Sequence, residues 1–180
     1  MTLKLDWTKK NATLQEALIG SATAVITKMT TGGFTEVPER QAVYFAVRKE
    51  NDLERFFRLK IGTTFPDNIF QEGCFNCSAE KEERINKFHL DSSYEKRNEK
   101  KKRYGGAIKL IINDVVWLFS ISGLREPEDQ SASLLIPHLL IPDHINLKNP
   151  QVQNIISISS LFENKTPELF ENVSLQLTGT

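Results

Sequence analysis

Cys74-Phe75-Asn76-Cys77 places the chain's two cysteines at CxxC spacing. Two thiolates so placed can converge on a metal ion or close a redox disulfide, and a helix N-terminus just beyond Ser78 would lower a thiol pKa. A structural zinc needs two further N or S ligands. No second CxxC exists, and none of His89, His138 and His144 has a second histidine at ligand spacing on the same element. The strand leading into the CxxC of a thioredoxin-type βαβ unit is also missing. The pair reads as structural or incidental thiols, with a redox couple and a metal site as the two alternatives.

Glycines mark a second kind of chemistry. Gly105-Gly106, and Gly123 after Ser122, can turn backbone N–H groups toward an anionic ligand. The competing reading is a strand entry where the backbone approaches a neighbour closely. A helix start beyond Gly123 adds anion-favouring donors, but Glu126, Glu128 and Asp129 already neutralise it. A small ligand is expected between that helix start and the loop Gly62-Thr63-Thr64. No nucleophile elbow accompanies any serine, and Glu82/Glu83 and Glu126/Asp129 read as surface and helix-start acids. No residue is assigned a catalytic role.

The bulk numbers set the frame. A chain of 180 residues suits one domain with a single core. Lys plus Arg and Asp plus Glu both count 23, so no overall field draws it to nucleic acid or an anionic membrane. The basic run at 95–103, EKRNEKKKR, reads as a solvated helix end. No apolar run reaches the roughly 18 residues of a membrane span, and the N-terminus does not resemble a secretory signal. The sequons at Asn11, Asn76, Asn164 and Asn172 then read as chance, and a cytoplasmic, reducing setting is expected for the cysteines.

The elements that must position these residues follow from periodicity. Leu14, Leu18, Val25 and Met29, with Ala22 and Ile26, predict a helix over about 13–30, capped by Thr13 with Glu16 and released at Gly32-Gly33. Val-, Tyr- and Phe-rich residues at 41–48 and a returning segment at 53–61 predict an antiparallel hairpin. The Gly, Pro, Asn and Asp of 62–77 predict a loop, and 78–103 predicts two charged helical pieces broken near Asp91-Ser92-Ser93. Strands at 106–112 and 115–122, joined by Asn113-Asp114, predict a second hairpin buried on both faces and central to its sheet, with Trp117 as a core or interface anchor. A helix from Glu126 runs to a break or kink at Pro137. The alternation of Val173, Leu175 and Leu177 allows a last strand. The expected fold class is α+β: an antiparallel sheet of about five strands flanked by helices in an α/β sandwich, with a domain over 1–141 and a C-terminal extension over 142–180 packed on it or on a neighbouring subunit.

From Tyr104-Gly105-Gly106-Ala107 through Ser122-Gly123-Leu124 to Glu128-Asp129-Gln130, the pattern resembles the GlcG/HbpS-like family, in its heme-degrading-domain-like branch. Phe57 to Asn68, FRLKIGTTFPDN, resembles its second motif, and Phe88 to Tyr94, FHLDSSY, a stretch between the two. The resemblance implies a profilin/PAS-like sheet, homo-oligomers built from dimers, and, for some relatives, binding of heme or related small ligands. Relatives often carry histidine immediately before the Gly-Gly and after the Glu-Asp, where this chain has Tyr104 and Gln130. The reading that follows is an oligomeric small-ligand-binding or scaffold protein without a catalytic signature. One alternative is a heme- or iron-handling protein with His89 as axial-ligand candidate. The other is a thiol-redox or metal protein using Cys74 and Cys77.

Overall fold

The computed structural model describes residues 5–162 and 165–179; the first four residues of the N-terminal segment and the sequon asparagine Asn164 lie outside them. Helix α1 spans Ala12–Thr31. Its cap is Asn11 rather than Thr13, because the Asn11 side chain accepts the Leu14 N–H at 2.9 Å and satisfies a donor the helix cannot. Leu14, Leu18, Ala22, Val25, Ile26 and Met29 form its buried stripe.

Strands β1 (Ala42–Lys49) and β2 (Phe57–Gly62) form the first antiparallel hairpin. Strands β3 (Ala107–Ile112) and β4 (Val115–Ser122) form the second. Asn113 and Asp114, at φ 51° and 62°, make the two-residue turn whose twist suits such a pair. The sheet has four strands, all antiparallel, in the order β2-β1-β4-β3. This corrects two expectations. The count is four rather than about five, and only β4 of the second hairpin is central, since β3 lies at an edge.

Helix α2 covers Asn68–Phe88. A loop was expected as far as Cys77, but Asp67 accepts the Phe70 N–H at 2.7 Å and starts the helix ten residues earlier. Two short 3-10 turns, Ser93–Lys96 and Glu99–Lys101, follow it. The basic run is solvated as expected, but it lies in these 3-10 turns rather than at the end of an α-helix. Helix α3, Glu126–Leu140, continues through Pro137. Helices α4 (Pro150–Ser160) and α5 (Thr166–Thr178) complete the chain. The strand anticipated near 173–177 lies inside α5. Phe170 and Val173 are buried while Leu175 is 55 % exposed, an i, i+3 pattern that belongs to a helix.

The sheet separates two cores. On one face Val43, Phe45, Trp117, Phe119 and Ile121 pack with the buried stripes of α1 and α3, and α5 closes this side through Phe170 and Val173. Trp117 is fully buried and donates its indole N–H to the Trp7 carbonyl at 3.0 Å. On the other face α2 lies against Ala107 and Leu118 through Ile85. The architecture is an α+β sandwich, an antiparallel four-stranded sheet flanked by five helices. No helix among the described residues is long and apolar enough to cross a membrane.

Candidate functional site

The charged face of α2 would be expected in water, yet Lys81 is 1 % exposed. Its position on α2 turns the ammonium past the end of β4 toward the start of α3. There its Nζ donates to the Ile121 carbonyl at 2.7 Å and to Asp129 Oδ2 at 3.0 Å. Asp129 Oδ1 accepts the Leu124 N–H at 3.0 Å, and Glu128 accepts the N–H groups of Arg125 and Glu36 and the Thr35 hydroxyl. Glu126 takes a two-pronged contact from Arg97 and the Gly105 N–H at 2.6 Å. Glu128 and Asp129 thus hold the turn that enters α3, and the three acids together tie the helix start to α2, to the 35–36 segment and to the 97–105 segment.

The segments at 92–93, 105–107 and 130–133 converge here. Ser92 Oγ donates to Gln130 at 2.8 Å, Ser93 Oγ accepts the Ala107 N–H at 3.0 Å, and Ser133 Oγ donates to the Gly106 carbonyl at 2.8 Å. Gly106 sits at φ +108°, and a Cβ there would stand 2.6 Å from that of Asp129. Gly105 is packed against the Tyr94 ring. Arg84 holds the basic segment from beneath, donating to the carbonyls of Lys96 at 2.8 Å and Tyr104 at 2.5 Å.

Beside this junction lies a cavity of about 730 Å³. Helix α2 supplies Ile69, Phe70, Gly73, Cys74, Cys77 and Lys81; the turn into α3 supplies Ser122 to Glu126 with Asp129. Val37 and Arg40 line one side, and Arg97, Lys102 and Tyr104 the other. Its acids are engaged: Glu36 by Arg125 and Lys165, Glu99 and Glu126 by Arg97, Asp129 by Lys81. Of the cations, Lys102 has no carboxylate partner among the described residues, while Arg40 meets Glu39 at 3.8 Å, donates to the Leu124 carbonyl at 3.3 Å and stacks on Phe70.

Of the residues singled out from sequence, Cys74, Cys77, Ser122 and Gly123 line this cavity. Gly105 and Gly106 do not line it; they pack against Tyr94 and Asp129. Gly62, Thr63 and Thr64 do not line it; Thr63 is tied to Gln41 by its N–H and its hydroxyl. His89 is the left-handed cap of α2, 3.6 Å from Glu50 and away from the cavity lining. His138 is buried between the Ile145 carbonyl and Ser174.

The CxxC lies within α2 instead of ahead of a helix N-terminus. Burial, reinforced by Asp129, pushes the Cys74 thiol up to about 12, and burial raises Cys77 as well. Both thiols are free. No cluster of three or more His, Cys, Asp or Glu placed to hold a metal occurs among the described residues. Lys81, Arg40 and Lys102 were not singled out in the sequence, and Tyr104 only as standing where relatives carry histidine; nothing in a charge-rich stretch distinguishes an inward-turned lysine from a solvated one.

Comparison with known proteins found no matching family model, no matching curated protein and no matching solved structure.

Proposed function

We propose that this chain is a GlcG/HbpS-like, oligomer-forming protein that binds a small amphipathic anion in the cavity between α2 and the start of α3. The observation that carries this reading is the cavity's charge balance: every acid lining it is paired inside the protein, whereas among the described residues Lys102 has no carboxylate partner and Arg40 meets only Glu39, at 3.8 Å. An anionic group would meet these cations at the mouth, and an apolar body would rest on Val37, Phe70 and Leu124. Chemistry is not part of the proposal, because the carboxylates of the cavity are held in caps and ion pairs and are not free to act as bases. The four antiparallel strands with helices on both faces support a profilin/PAS-like arrangement. Assembly rests on the resemblance to the GlcG/HbpS-like family.

Anilinonaphthalenesulfonate, an aromatic anion, tests the site. It should bind the native protein with an emission rise saturating at one probe per chain. Gly73→Phe should abolish the rise, since a side chain at Gly73 enters open space within the cavity lining. Equal binding to both proteins overturns the assignment. Native mass tests assembly, for which a monomer is the contrary result. For heme, a Soret shift lost on His89→Ala would favour the heme reading over this one.

A further inference from the structure

The two edges of the sheet are treated differently. Along β3, the Lys109 N–H donates to the Asp91 carbonyl and the Ile111 N–H to Gln151, while His144 meets the Ile111 carbonyl. That edge is covered. On β2, the Thr63 N–H and the Phe56 N–H bond to the carbonyls of Gln41 and Val47, and the register runs from Ala42↔Gly62 to Val47↔Phe57. The alternation of an antiparallel ladder then turns the N–H and C=O of Arg58 and Lys60 away from β1. Among the described residues nothing bonds to them. Such an edge is a template for another strand.

The side chains beside this edge are as selective as its backbone is open. Tyr44 stacks on Phe65 at 5.4 Å and meets Phe75 edge-on at 5.1 Å. Arg58 lies 3.5 Å over the Phe75 ring and Lys60 lies over Phe65. Neither cation has a carboxylate at ion-pair distance among the described residues, although Glu82 and Glu83 pair with Arg55 close by. Burial, with Arg55 adding to it, pulls the Arg58 guanidinium below its ordinary value.

We propose that the outer edge of β2 docks an extended acidic segment of a partner protein by strand addition. Residues directly opposite one another on neighbouring strands share a face, so the positions facing Arg58 and Lys60 would be acidic and the one facing Leu59 apolar: acid, apolar, acid. A second copy of this chain fits poorly, because antiparallel pairing about Leu59 sets Arg58 against Lys60 of the other copy, like charge on like. Single-stranded nucleic acid fits poorly too. It has no backbone to pair with the free N–H and C=O groups, and the Phe65 and Phe75 faces already carry Lys60 and Arg58 in place of bases.

The test is fluorescence anisotropy with a labelled Glu-Val-Glu-Val-Glu peptide, against Lys-Val-Lys-Val-Lys and an oligothymidylate. The acidic peptide should bind more tightly than the basic one by roughly tenfold at low salt. Arg58→Glu with Lys60→Glu should reverse that order. Lys60→Pro, which removes an outward N–H without breaking a bond to β1, should weaken the acidic peptide by roughly tenfold while leaving sulfonate binding at the cavity intact. Should that variant unfold, the charge-reversed pair decides. Equal affinity for both peptides, tighter binding of the oligothymidylate, or an unchanged order after charge reversal overturns the proposal.

Discussion

Lys81 of α2 and Asp129 of α3 form an ion pair inside the protein, Nζ to Oδ2 3.0 Å, with side chains 1 % and 3 % exposed. The pair joins the helix on one face of the sheet to the helix on the other, at the floor of the cavity. Two charges cost much to desolvate, and removing one leaves the other buried without compensation. Lys81→Met should therefore cost about 3–5 kcal/mol of unfolding free energy, and Lys81→Met with Asp129→Leu should recover much of it. Urea denaturation of the two variants checks this; a double variant no better than the single contradicts it.

The same carboxylate gives a pH signature. Burial, the largest cause, pushes Asp129 up to about 6 against the opposing pull of Lys81. Between the ordinary value of 3.8 and about 6 the folded protein holds a proton that the unfolded chain has released. The contribution of this group is thus complete below the ordinary value and is lost as pH rises through about 6. Relative to Asp129→Asn, the native protein should lose stability from about pH 4 to about pH 7. Urea midpoints for both proteins across that range would differ by a constant if the idea is wrong.

Thiol chemistry should be suppressed. With both cysteines raised by burial, the thiolate is scarce at neutral pH. Ellman's reagent should count two thiols only in denaturant, with Cys77 reacting slowly and Cys74 almost not at all in the native protein. Rapid native reaction of both would revive a redox role.

Two glycines should respond in opposite directions. Gly106→Ala forces a side chain into a positive-φ position against Asp129, and should cost roughly 2 kcal/mol or more. Gly73 lies in α2 with open space around a Cβ, and Gly73→Ala should stabilise by about 0.5–1 kcal/mol. Thermal unfolding of both variants reads the signs directly.

Local signals carried much of the fold. The stripe from Leu14 to Met29 and the pair Asn113-Asp114 require only neighbours in sequence, and their helix and turn follow from periodicity and φ preference. Asp67 shows where that logic was outweighed. Gly, Pro and Asn around it resemble a loop, yet its side chain caps a helix that contains Gly73 and both cysteines. Val173, Leu175 and Leu177 alternate like a strand, while the competing spacing of Phe170 and Val173 is the one that finds a core to pack on. The candidate site was less legible. Ser122 and Gly123 stood out as glycine-rich turn residues, but Arg40, Lys81 and Lys102 are joined only by the tertiary fold.

An amide NMR titration with anilinonaphthalenesulfonate tests the cavity assignment most directly. Binding there should shift the amides of Gly73, Cys77, Gly123 and Leu124 together, with one dissociation constant, and Gly73→Phe should silence all of them. Shifts confined to the β2 edge around Lys60 and Phe65, or no saturable shifts at all, would contradict the account.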